Sequence, residues 1–286
     1  MMGSKVWLIT GASSGLGAAL AHHVLTSGHK VIGAVRNVTK AQKSHPEFER
    51  LGGKWAELDV TDPKTSEKVH GLARENNGFD VVVNNAGYSI LGSIEDMSED
   101  EMHKQINTNL YGPIRVLQGS LPYMREKKSG CIVNISSVAG MVGRPATGLY
   151  SASKFAIEGL SESLAAELAE FGIRVLLIEP GGFRTGFLSA FVAPAAGLNP
   201  GYNGTALSRT MQVYETVDGT QRGDPEKAAA RILDAVESRG LCAATSSYLR
   251  VPLGSDCYGL VQSKADALKE NLDKMKDIAH STDYAQ

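Results

Sequence analysis

Short runs of wholly apolar residues recur along this chain, and each is followed by a stretch with helical periodicity. That alternation predicts βαβ units, because parallel neighbours need a long crossover between them and a helix usually provides it. The expected strands are Lys5–Thr10, Lys30–Val35, Lys54–Asp59, Phe79–Val83, Cys131–Ser136, Arg174–Ile178 and Cys242–Tyr248. A run such as Val81-Val82-Val83 offers no polar face, as suits a strand covered on both sides. The expected fold is a single α/β domain, a doubly wound parallel sheet of about seven strands with helices on both faces.

Helix boundaries carry their own signals. Asp62-Pro63 and Asp224-Pro225 each place a capping carboxylate before a proline suited to the first helical position. Ser98-Glu99-Asp100-Glu101 has the spacing of a capping box. A long helix is expected from about Tyr150 to Gly172, with Ala156, Leu160, Leu164 and Leu168 on one stripe and Glu158, Glu162 and Glu170 off it. No linker interrupts residues 1–250, which read as one domain, and no internal repeat is visible. Residues 182–223 are irregular, yet they carry Phe183, Phe187, Leu188, Phe191 and Val192, which suggests a substrate lid. Residues 251–286 read as a helical extension. From Tyr258 to about Ser281 its seam of Val261, Ala265, Leu268, Leu272 and Met275 would pack on its own domain or on a neighbouring subunit.

Composition narrows the classes of function. A formal net charge of -2 gives no electrostatic case for nucleic acid or an anionic membrane as partner. Cys131, Cys242 and Cys257 are few and scattered, as are the seven histidines, so neither a disulfide framework nor a metal site is expected. The apolar stretch Val6–Ile9 is shorter than a signal-peptide core, and no uncharged run approaches the ~20 residues of a membrane span. The C-terminal Tyr284-Ala285-Gln286 is no peroxisomal or lipidation signal, so a cytoplasmic location is expected.

The first expected strand runs into Thr10-Gly11-Ala12-Ser13-Ser14-Gly15-Leu16-Gly17, and a helix follows. There, backbone amides and the helix dipole can hold a pyrophosphate, and glycines let the backbone approach it closely. The spacing is G-x-x-x-G-x-G rather than G-x-G-x-x-G, but the strand–loop–helix context makes it a Rossmann-like dinucleotide site. The second strand should tell the two nicotinamide cofactors apart. Its end, Val35-Arg36-Asn37, has no acid to grip a ribose hydroxyl. Arg36 there, with Ser13, suits a 2′-phosphate, so NADP(H) is favoured over NAD(H).

The chemistry should lie further on. Tyr150 and Lys154 are four residues apart, one helical turn, so one helix face can present both. A tyrosine of ordinary pKa, about 10, is a poor base at neutral pH, and an adjacent ammonium favours its ionised form. Ser137 lies thirteen residues before Tyr150, at the end of an expected strand.

In these pieces the chain resembles the classical short-chain dehydrogenase/reductase family, NADP(H)-preferring type, over about residues 5–250. The matching segments are the Thr10–Gly17 loop, Asp59-Val60, Asn84-Asn85-Ala86-Gly87, Asn109, Ser137, Tyr150-x-x-x-Lys154 and Pro180-Gly181-Gly182-Phe183-Arg184-Thr185, in the family's order. The resemblance implies that Tyr150 exchanges the proton and that Lys154 lowers its pKa and holds the nicotinamide ribose. Ser137 would orient the substrate oxygen, and Asn109 would hold a relay water. It also implies that Asp59 and Val60 edge the adenine and that Asn85, Ala86 and Gly87 line the adenosine ribose. Pro180, Gly181 and Thr185 would flank the nicotinamide.

The implied activity is NADP(H)-dependent, reversible reduction of a ketone or aldehyde by a homodimer or homotetramer. Tyr88, Ala139–Val142 and the lid phenylalanines suit an apolar, medium-sized small-molecule carbonyl or alcohol substrate, while Arg144 and Arg184 are alternative receivers for a carboxylate. The same fold also serves dehydratases, epimerases and biosynthetic reductive steps, or a non-enzymatic cofactor sensor. Retention of the whole proton-handling set disfavours the sensor.

Overall fold

The computed structural model describes residues 3–244 and 247–284. The first half alternates strictly. It runs β1 (Val6–Thr10), α1 (Gly15–Thr26), β2 (Lys30–Val35), α2 (Val38–Ser44), β3 (Lys54–Glu57), α3 (Thr65–Glu75) and β4 (Val81–Asn84). Then come α4 (Glu99–Ile106), α5 (Gly112–Lys127), β5 (Gly130–Ile135), α6 (Gly148–Leu168) and β6 (Ile173–Pro180). The last elements are α7 (Ala206–Thr216), α8 (Pro225–Glu237), β7 (Arg250–Leu253) and α9 (Ser255–His280).

All seven strands form one parallel sheet in the order β3-β2-β1-β4-β5-β6-β7. Successive side chains of a strand point to opposite faces, and the apolar runs fill both. Trp7, Ile9, Val81 and Val83 join α1 and α8 in one core. Leu8 and Val82 join α3, α5 and α6 in the other. The order reverses between β1 and β4, so a crevice opens beyond their C-terminal ends, where open α/β sheets bind ligands.

Several boundaries depart from the sequence expectation. The seventh strand is not Cys242–Tyr248. Gly240–Cys242 is a 3₁₀ turn, residues 245 and 246 lie outside the described residues, and the strand is Arg250–Leu253. Two facts account for the shift. Val251 and Leu253 pack on the core, whereas the expected run is built of small residues. Arg250 also pairs with Glu158 at 3.1 Å and Glu179 at 3.2 Å, carboxylates buried on α6 and β6. Pro252 is tolerated because β7 is an edge strand. The domain boundary expected at residue 250 therefore cuts into the sheet itself.

Asp224 caps α8 through Glu226 and Lys227 amides, and Ser98 and Glu101 form the capping box of α4. Asp62 instead closes a turn, accepting from the Lys64 amide, and α3 starts only at Thr65. Glu158, expected off the apolar stripe, is 4% exposed because Arg250 neutralises it. The 182–223 segment contains α7 and a 3₁₀ turn at Pro200–Tyr202. It is tied to the body by a short bridge from Val192 to Ile90 and by Ala195 on Glu101.

The tail helix does not pack along its seam. Every residue from 265 to 284 is exposed, Leu268, Leu272 and Met275 included, so its own domain covers only the first turns of α9. Of the expected C-terminal tripeptide, Ala285 and Gln286 lie outside the described residues. Among the described residues no helix is long and apolar enough to cross a membrane.

Candidate active site

A cavity of about 560 Å³ opens at the crevice beyond the strand ends. At one side α1 begins, and Ser14, Gly15 and Leu16 line the wall. Gly11 and Gly15 adopt positive φ of 66° and 52°, which side-chain-bearing residues rarely do. A Cβ on Gly17 would lie 2.3 Å from Asn85 Nδ2 and 2.5 Å from the Gly11 carbonyl oxygen, so only glycine fits. The Ser14 side chain makes no capping bond to α1, leaving the helix's first amides to face the cavity. Such a terminus favours an anion. A glycine cradle and an uncapped helix N-terminus at a sheet crevice fit the pyrophosphate of a nicotinamide dinucleotide.

The loop is held from below by β4. Thr10 Oγ1 accepts from the amides of Asn85 (3.0 Å) and Ala86 (3.1 Å), and Asn85 Nδ2 donates to the carbonyls of Thr10 and Gly11. Asn85 therefore braces the glycine loop, and Gly87 beside it lines the cavity. Asn84, next in line, donates to Asn134 across to β5 at 2.8 Å.

Ser13, Arg36, Asp59 and Val60 lie away from the cavity wall. The Ser13 carbonyl contacts His45 Nε2 at 2.9 Å. Arg36 is exposed just after β2, two residues beyond Ala34, whose carbonyl accepts from the Gly11 amide at 2.9 Å. Asp59 accepts from the Thr61 amide and hydroxyl at 2.9 and 2.7 Å, an Asx-type turn. Val60 is buried against Gly112.

The three residues expected to carry the chemistry meet at the same cavity. Ser137 follows β5 in extended conformation, and its Oγ accepts from the Ala139 amide at 3.1 Å. Tyr150 sits in the first turn of α6, with Lys154 one turn on, and all three border the cavity. Tyr150 is 8% exposed, and burial pushes its phenol up to about 12, against the downward pull of the Ser137 hydroxyl and the Arg144 charge. The Lys154 ammonium is also buried, which brings it down to about 8 although the Glu158 carboxylate opposes the shift. Lys154 Nζ donates to the Ile135 carbonyl at 2.7 Å and lies 5.7 Å from the Tyr150 ring centre. With Lys154 turned to the strand, only the Ser137 hydroxyl and the Arg144 charge oppose the rise of the phenol.

Asn109 lies in a π-helical segment, Asn107–Tyr111, between α4 and α5, the kind of bulge that often marks a working site. Its amide nitrogen donates to the Tyr88 carbonyl and Ser153 Oγ, both at 3.0 Å, and its oxygen accepts from the Tyr88 amide at 3.2 Å. Gln105, wholly buried one turn earlier, donates to the same Tyr88 carbonyl and accepts from Ile90. The sequence reading missed Gln105. Its four-residue spacing from Asn109 was the available signal.

Pro180, Gly181 and Thr185 close the far wall after β6. The sequence reading also missed Asp256, in the first turn of α9. Its Oδ2 accepts from the Gly182 amide at 2.7 Å, and it lines the cavity, so the C-terminal extension reaches the site. Phe187 tilts over Tyr150, with ring centres 5.8 Å apart. Arg184 spends its guanidinium on the Gln221 carbonyl, whereas Arg144 borders the cavity.

Known proteins match this chain in sequence and in fold. The family model for short chain dehydrogenases matches residues 5–195. Oxidoreductase claN of Passalora fulva is 49% identical over 193 residues, 67% of this chain and 88% of that protein. A 3-ketodihydrosphingosine reductase of Bacteroides thetaiotaomicron is 39% identical over 217 residues, 75% of this chain and 77% of the relative. Among solved structures, a short-chain dehydrogenase from Streptomyces avermitilis superposes with a TM-score of 0.84 at 36% identity, covering 99% of this chain and 100% of that one. The NADP-bound structure of ElxO superposes with a TM-score of 0.65 at 27% identity, over 80% and 90% of the two chains.

Proposed function

The chain belongs to the short-chain dehydrogenase family of oxidoreductases, and on that premise we propose that it reduces a ketone or aldehyde with NADPH, reversibly. The observation that carries this reading is that Ser137, Tyr150 and Lys154 line one cavity together with Ser14, Gly15 and Leu16 of the glycine loop. The NADP-bound relative and the ketone-named reductase support it.

Gly11, Gly15 and Gly17 with the first amides of α1 would hold the pyrophosphate, and Arg36 the 2′-phosphate. Pro180, Gly181 and Thr185 would flank the nicotinamide, and when bound the cofactor supplies a hydride to the carbonyl carbon. The rest falls to this chain's own residues. Ser137 Oγ donates to the substrate oxygen and fixes its position. Tyr150 delivers its phenolic proton to that oxygen as the C–O bond order falls, leaving an alcohol and a phenolate. Lys154, turning from Ile135, stabilises the phenolate, and its partly lowered pKa suits it to pass on a replacement proton. Asn109 and Gln105 hold the backbone of Tyr88, so the wall facing Lys154 keeps its shape. Burial of Tyr150 and Lys154 strengthens each of these electrostatic terms.

The test follows NADPH absorbance against a panel of ketones and aldehydes. Tyr150→Phe is expected to lower turnover by at least about a thousandfold while NADPH still binds, measured by fluorescence titration. Full turnover by Tyr150→Phe would end the reading.

A further inference from the structure

The cavity holds a cation, Arg144, that no carboxylate among the described residues neutralises. Arg144 borders it between Ser137 and Tyr150 in the chain, on the segment leading into α6. Its backbone is fixed by Thr147, whose hydroxyl donates to the Arg144 carbonyl at 2.9 Å and accepts from the Arg144 amide at 3.3 Å. Its side chain has no such anchor. Among the described residues no carboxylate pairs with it, and its buried Nε has no hydrogen-bond partner. A buried donor left unpaired is costly, so proteins seldom keep one without use.

The other charged groups of this wall are accounted for. Lys154 donates to Ile135, and Arg184, the rival receiver, is bound to Gln221. Asp256 accepts from Gly182, on the wall after β6. The cavity is also lined by Leu188, Val213, Val217 and the aromatic Tyr214, and Val213 and Tyr214 share a second hollow with Arg144, beside Arg209 and Thr210. In such surroundings a guanidinium prefers a planar anion that accepts two parallel hydrogen bonds. The Ser89 hydroxyl, 2% exposed and also unpartnered, borders the same cavity and offers a further donor.

We propose that Arg144 is the specificity residue of this site and that the substrate is an oxo-carboxylate, an apolar ketone or aldehyde whose carboxylate pairs with Arg144 while its carbonyl meets Ser137 and Tyr150. The assignment rests on the reductase reading of the same cavity. An apolar body fits the Leu188, Val213 and Val217 wall, and the carboxylate supplies the charge that the wall lacks.

The experiment uses matched aromatic ketones, one bearing a carboxylate and the other its methyl ester, with NADPH. The wild-type protein is expected to favour the acid in kcat/KM. Arg144→Met should lower the acid-to-ester ratio by about 10–100-fold, chiefly through KM, and Arg144→Lys should lower it less. Calorimetry with the corresponding hydroxy acid should show binding by wild type that Arg144→Met loses. Thermal unfolding and NADPH titration check that each variant is folded. An ester used as well as the acid, or equal losses on both substrates in Arg144→Met, would overturn the assignment and leave the reductase reading standing. If neither ketone is reduced, the reductase reading falls for this class, and the calorimetric titration alone decides Arg144. Equal binding by wild type and Arg144→Met, or none by either, then overturns it.

Discussion

At the scale of single residues, the same side-chain type does different work according to what lies beside it. Arg250 neutralises buried carboxylates, Arg184 holds a carbonyl, Arg144 faces the cavity, and Arg36 stands exposed beside the glycine loop. Only the last two are free to meet a ligand. For Arg36 the expected ligand group is the 2′-phosphate, since no acid stands at the end of β2 to hold a ribose hydroxyl. Arg36→Asp should therefore raise KM for NADPH by about tenfold or more and leave KM for NADH equal or lower. Parallel initial-rate measurements with both cofactors check this. Unchanged selectivity would remove the case for NADP(H).

At the scale of elements, α6, β6 and β7 are joined by charge as well as by apolar packing. Arg250 reaches Glu158, Glu162 and Glu179, one guanidinium for three carboxylates, two of them buried. Burial pushes Glu179 up to about 7, aided by the Glu158 charge, and burial raises Glu158 as well. A carboxylate raised in the folded state keeps its proton longer there than in the unfolded chain. Its stabilising contribution is thus complete below about 4.5 and is lost as pH rises through about 7. Glu179→Gln keeps the shape and removes the titration. Relative to wild type the variant should gain stability between pH 5 and pH 8, on the order of 2 kcal/mol. Urea unfolding at the two pH values measures it. Parallel curves for the two proteins would contradict it.

At the scale of the whole molecule, the sheet crevice collects contributions from distant parts of the chain. The glycine loop comes from the first turn, Ser137 and Tyr150 from the middle, and Asp256 from the start of α9. Beyond Lys264 every described residue of the same helix is exposed. Removal of residues 265–286 should therefore shift Tm by no more than about 2 °C, whereas truncation before Arg250 should abolish the folded state by stranding Glu158 and Glu179. Differential scanning calorimetry separates the two cases. Light scattering on the shorter variant also tests whether the Leu268, Leu272 and Met275 seam meets a neighbouring subunit. A fall in the number of subunits would place it there, and an unchanged number would discard that expectation.

Local grammar alone determined six of the strands, the glycine loop, the α8 cap and the α4 capping box, because each depends on residues close together in the chain. Apolar runs, turn residues and the four-residue step from Tyr150 to Lys154 need no knowledge of distant neighbours. The seventh strand, the burial of Glu158, the clamp of Gln105 and Asn109 on Tyr88, and the entry of Asp256 into the cavity were decided only by the tertiary structure. Each depends on a partner between 17 and 92 positions away. A charge or amide is buried only where folding brings the group that satisfies it, and the chain's local pattern carries no record of that meeting.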